Sequence, residues 1–151
     1  MTPFPEIRGK PYDILEHRHR FAVWAAARAS QRGFTSVAVL SSTIDRAKIR
    51  DFVESKARTP IDRVKFDSLH RKWCGDAMAA LSEYAPGIKD VTYGRAAKLV
   101  AIYLKSSVIL GNALDTEFAR VAHPPIDSIL LRNLSKSSLG QNQRTSWSQL
   151  R

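Results

Sequence analysis

Apolar residues recur along this chain at intervals of three and four, and that rhythm predicts helices almost throughout. Phe21, Trp24 and Ala25, with Arg28 and Ala29 one turn on, outline a first helix from an Asp13 cap to about Arg32, ended by Gly33. Residues 34–40, FTSVAVL, are rich in β-branched side chains. No second strand of similar quality is there to pair with them, so the segment reads as a short helix or buried connector. Ser42 or Thr43 is expected to cap a helix through Ile44, Ile49, Phe52 and Val53 to about Ala57, and Pro60 breaks the chain. A third long helix, 64–84, carries a stripe of Phe66, Leu69, Trp73, Ala77, Ala80 and Leu81, and Pro86-Gly87 stops it. A central helix runs from Arg95 to about Leu110, stopped by Gly111-Asn112. A short helix at 115–121 and a last one at 128–134 follow. Residues 1–10, with Pro3, Pro5 and Gly9, form an irregular lead-in. The expectation is all-α, a single compact domain of about six helices over 1–134, then a loose polar tail, 135–151, in which Trp147 is a candidate for docking.

Composition narrows the classes. A chain of 151 residues with 44% apolar content is long enough for one real core and too apolar for wholesale disorder. No apolar run approaches the roughly 18 residues needed to span a bilayer, and the first residues have no apolar core of the signal-peptide kind. Cys74 is the single cysteine, which excludes an internal disulfide and makes a cytoplasmic setting the expectation. The formal net charge of +10 favours an anionic partner, nucleic acid first and DNA before RNA. A solvated basic surface is the alternative. No phosphate-binding loop, nucleophile elbow or dinucleotide fingerprint is present, and no cofactor is expected. His70 and Cys74 share a helix face, but four ligands are wanted at a structural site, so no metal is expected either. Phe21, Trp24, Phe66, Trp73 and Tyr103 fall at helical spacings and read as core rather than base-stacking platforms.

The sharpest chemistry lies between Tyr93 and Leu134. On the central helix Arg95, Lys98 and Lys105 share a stripe with Ile102, while Leu99, Val100, Tyr103 and Leu104 turn to other faces. A lysine on a largely buried helix is desolvated, which favours its neutral, nucleophilic amine. Snorkelling of both lysines to solvent is the alternative. His123-Pro124-Pro125-Ile126-Asp127 then makes a rigid corner, with Asp127 placed to cap the following helix. A cap can hold a carboxylate for chemistry as well.

A glycine, a lysine on a buried helix, a loop, and Pro-(Val/Ile)-Asp opening another helix together resemble the helix-hairpin-helix DNA glycosylases of the 8-oxoguanine glycosylase fold. The matching residues are Gly94, Lys98, Pro125, Ile126 and Asp127, followed by Leu130, Leu131, Arg132 and Leu134; Val91-Thr92-Tyr93-Gly94 stands at the hairpin. The chain also resembles small uncharacterised bacterial proteins with an AAK…YLKS…HPPID core. The first resemblance implies Lys98 as the nucleophile at a sugar C1′ and Asp127 as the catalytic carboxylate. It implies base extrusion with Gly94 near a phosphate; Tyr93 and His123 are then candidates to stack on the base, Tyr93 packing the helix entry being the alternative, and Arg95, Lys105, Arg120 and Arg132 are candidates to hold phosphates. Two other readings stand beside it. One is a non-catalytic helical module for nucleic acid or a protein partner. The other is a bacterial defence or toxin component acting on RNA through Arg18, His19 and His70.

Overall fold

The computed structural model describes residues 11–31, 33–56, 59–110 and 115–136. Seven α-helices are formed among them, and no strand: α1 Ile14–Gln31, α2 Val37–Arg46, α3 Ile49–Lys56, α4 Arg63–Tyr84, α5 Tyr93–Leu104, α6 Glu117–Val121 and α7 Ser128–Lys136. Side-chain caps start most of them. Asp13 accepts from the Leu15 and Glu16 amides, and Ser36, Asp62, Thr92 and Thr116 cap α2, α4, α5 and α6. Gly33, at φ 67°, turns the chain after α1 in a conformation glycine adopts without strain.

Helix α5 is the axis of the domain, packing against α1, α2 and α4. Its Ala96, Leu99, Val100, Ala101, Tyr103 and Leu104 are buried. Helix α1 meets it with Ala22, Val23, Ala26 and Ala27, small side chains that let two backbones approach closely. Helix α4 adds Phe66, Trp73, Cys74, Ala77 and Leu81, with Phe118 of α6 set edge-on against Phe66. The helical ladder loosens after Leu104 into a five-residue π turn, Lys105–Ile109, where the Leu110 amide reaches back to the Lys105 carbonyl. Ser107 Oγ donates to the Tyr103 carbonyl at 2.7 Å and is buried there. No helix among the described residues is long and apolar enough to cross a membrane.

Several expectations are corrected. Residues 34–40 hold the Ser36 cap and the first turn of α2. Ser42 and Thr43 are therefore inside a helix and cap nothing; Thr43 Oγ1 donates to the Val39 carbonyl at 2.8 Å. The expected single helix to Ala57 is two helices, because Lys48 takes φ 52° and breaks the run. Phe21 and Trp24 are 48% and 55% exposed, not core. The alanine stripe takes the buried side of α1, so the two aromatic rings face outward and lie against each other at 6.0 Å. The last helix runs to Lys136, two residues beyond the expected end. The lead-in, the Gly111-Asn112 stop and the Trp147 docking fall outside the described residues.

Burial predicts opposite fates for two tryptophans. Trp73→Ala should cost about 3–5 kcal/mol, as for a large aromatic removed from a core, whereas Trp24→Ala should stay within about 0.5 kcal/mol. Urea unfolding of both variants checks this.

Candidate active site

Asp127 is fixed before any partner approaches. The two prolines before it block helix, and its Oδ1 accepts from the amides of Ile129 and Leu130 at 3.0 and 2.9 Å, capping α7. The other oxygen is left free to reach the core. Lys98 Nζ of α5 donates to Asp127 Oδ2 at 3.3 Å, with the lysine side chain 13% exposed and the aspartate 29%. The Leu130 amide first, and then Lys98, hold the Asp127 carboxyl below the usual carboxylate range, against the opposing effect of partial burial. The two side chains form a partly buried ion pair.

This pair stands between two hollows, and Lys98 lines both. The smaller, about 170 Å³, has Ser30, Phe34, Arg95, Asp127 and Ser128 in its wall. Arg95 lies over the Phe34 ring at 4.3 Å. The larger, about 450 Å³ and mostly apolar, is walled by Arg63, His70, Tyr93, Gly94, His123 and Ile126. That volume suits a small planar ligand.

A file of polar groups runs along one wall of the larger hollow, with His123, His70 and Tyr93 lining it. Asp67 Oδ1 accepts from His123 Nε2–H at 2.9 Å. His123 and His70 rings lie 4.5 Å apart, and Tyr93 Oη is 3.3 Å from His70 Nδ1, with Cys74 Sγ behind it at 3.7 Å. Burial, with His123 alongside, pushes His70 down to about 4, partly countered by Asp67, so its imidazole is neutral at pH 7. Burial also pushes Tyr93 and Cys74 up to about 12, and both keep their protons.

The structure therefore brings Lys98, Tyr93, Gly94 and His123 to the larger hollow and Arg95 and Asp127 to the smaller one, with Lys98 common to both. Lys105, Arg120 and Arg132 are exposed and line neither hollow. His19 and His70 do not meet. His19 bonds Tyr103 Oη at 2.9 Å and lines a separate groove with Glu16, Asp45 and Arg50. Asp67 and Arg63 were not singled out from sequence, although Arg63, Asp67, His70 and Cys74 fall at helical spacings on one stripe of α4. Among the described residues no group of three or more His, Cys, Asp or Glu side chains is arranged to hold a metal. Comparison with protein-family models, curated proteins and solved structures finds no match for this chain.

Two outcomes follow. Asp127→Ala should lose about 1 kcal/mol of capping and leave Lys98 without its carboxylate; Asp127→Asn, which caps about as well, should recover most of the melting temperature. His70 binds a proton more readily unfolded, where its ordinary value of 6.5 applies, than folded, where it is about 4. Stability conferred by its neutral form is present above pH 6.5 and falls as pH drops toward 4, by about 2–3 kcal/mol at 1.36 kcal/mol per unit. The difference in melting temperature between wild type and His70→Phe, measured from pH 7 to 4.5, should change accordingly.

Proposed function

We propose that this protein binds DNA, swings a damaged or modified base out of the duplex into the larger hollow and cleaves its N-glycosidic bond, acting in a bacterial cytoplasm as a repair or phage-defence enzyme. The observation that carries the reading is the 3.3 Å approach of Lys98 Nζ to Asp127 Oδ2, with Lys98 itself lining a mostly apolar hollow. It joins the two residues that the resemblance to helix-hairpin-helix glycosylases assigns to chemistry. Extrusion costs a few kcal/mol, least at a damaged base. The apolar walls with Tyr93 and His123 offer faces against which such a base stacks.

The chemistry follows from the charges. Asp127 is ionised and a weak base, so its part is electrostatic: it stabilises positive charge on the sugar as the C1′–N bond lengthens. Lys98, once it has given up a proton, bonds C1′ and leads to a Schiff base with the opened sugar. Arg95, Lys105, Arg120 and Arg132 hold phosphates, with Gly94 at the start of α5 leaving room for the backbone. The outward pair Phe21 and Trp24 on α1, 48% and 55% exposed with their rings 6.0 Å apart, favours a second reading, a non-catalytic module that binds a protein partner.

Borohydride separates the two. The wild-type protein should be trapped covalently on duplexes carrying 8-oxoguanine or another lesion, Lys98→Gln should abolish trapping, and Lys105→Gln should retain it. Binding followed by anisotropy should weaken steeply with salt, by about 0.9 in log–log slope per neutralised phosphate. No DNA binding even at low salt overturns the reading. Trapping lost only in Lys105→Gln moves the nucleophile about 10 Å along the helix at 1.5 Å per residue.

A further inference from the structure

The Lys98–Asp127 pair leaves one requirement of the proposed reaction unmet. A base that is neutral in DNA departs with both electrons of the C1′–N bond, and so leaves as an anion unless a proton reaches it. Asp127 is no source of that proton, because the Leu130 amide and Lys98 keep it ionised. Lys98 is occupied at C1′. Tyr93, pushed up to about 12, is a weak acid, and His70, pushed down to about 4, carries no proton to spare at neutral pH.

His123 is placed differently. It lines the same hollow, and its Nε2 is engaged by Asp67 Oδ1 at 2.9 Å. The ring is gripped edge-on by Phe66 at 5.0 Å and by His70 at 4.5 Å between centroids. Asp67 belongs to α4, whereas His123 belongs to the corner before α7, so the bond ties together segments 56 residues apart. A carboxylate on one imidazole nitrogen sets the ring's orientation and offsets the positive charge when both nitrogens carry protons. Nδ1–H is then the remaining donor. Two cations, Arg63 and Lys98, share the hollow and oppose that charge, which is why the Asp67 countercharge matters.

From this geometry we infer that His123 is the proton donor to the departing base, with Asp67 as its positioning residue. The inference rests on the glycosylase reading and names its substrate class: bases that are neutral in DNA and reluctant to leave as anions. The C1′–N bond breaks, and its electron pair goes to the base. The Nδ1 proton of the imidazolium goes to a ring nitrogen or carbonyl oxygen of that base. The Lys98 ammonium first gives a proton to water, its freed lone pair bonds C1′, and His123, left neutral, takes its next proton from water.

The test is single-turnover base release from duplexes carrying 8-oxoguanine or hypoxanthine. His123→Ala should slow release by about 10²–10⁴-fold, the usual contribution of a general acid, and added imidazole should restore much of the loss by occupying the vacated space. Asp67→Asn keeps the ring packed and should slow release at least about tenfold, with binding to a duplex holding a tetrahydrofuran abasic analogue unchanged. Release by His123→Ala within tenfold of wild type overturns the inference, as does a loss that imidazole does not restore while Asp67→Asn behaves as wild type. In either case wild-type release that depends on Lys98 leaves the glycosylase reading standing. Wild type that releases neither base and is trapped on no lesion-bearing duplex overturns both.

Discussion

One carboxylate ties the last helix to the core. Asp127 receives two amide hydrogen bonds from the first turn of α7 through one oxygen and the Lys98 ammonium through the other. Helix α7 itself buries little: Ile129, Leu130 and Leu134 are each about 40% exposed. Its position therefore leans on the proline corner and on this contact with α5. The proposed chemistry draws on the same contact. A partly desolvated lysine is tolerated because a carboxylate faces it, and removing either partner would leave the other charge in a poor medium. Structure and proposed activity thus draw on a single ion pair.

The surrounding packing keeps that pair usable. Alanines on α1 bring it close to α5, and the buried side of α5 is fully occupied by Leu99, Val100, Tyr103 and Leu104. Lys98 falls on the remaining side, where α4 and the corner before α7 leave a hollow rather than more core. The two flanks of that hollow differ in kind. On one, Lys98 lines the wall while its partner Asp127 lines the smaller hollow behind it. On the other, His123, His70 and Tyr93 line the wall, with Asp67 hydrogen-bonded to His123 and Tyr93 to His70. A base between them would meet the sugar chemistry on one side and proton transfer on the other.

Much of this was legible in the sequence, and the exceptions have physical causes. The all-α class followed from periodicity, and the Asp13 and Asp127 caps from local chemistry. The faces of α1 were misassigned because Phe21 and Trp24 outweigh Ala22, Ala26 and Ala27 in hydrophobicity. Close helix packing rewards small side chains, which no hydrophobicity count registers. The break between α2 and α3 was hidden because Lys48, rather than a glycine, adopts the positive φ. The nearness of Lys98 to Asp127 was implied by the resemblance to helix-hairpin-helix glycosylases, since periodicity alone left snorkelling of Lys98 and a simple cap at Asp127 open. The Asp67–His123 bond was not, since it depends on how a corner folds back over α4 from far along the chain. The stripe Arg63, Asp67, His70, Cys74 was the signal available.

The most direct measurement is a crystal structure of the Lys98→Gln protein bound to a duplex carrying a tetrahydrofuran abasic analogue. The account predicts the abasic sugar extruded into the larger hollow, its C1′ roughly 3–3.5 Å from the end of the side chain at position 98, as a near-attack geometry requires, with the Asp127 carboxylate facing the ring. DNA lying across the outward aromatic face of α1, with the hollow between Lys98 and His123 empty, would contradict it.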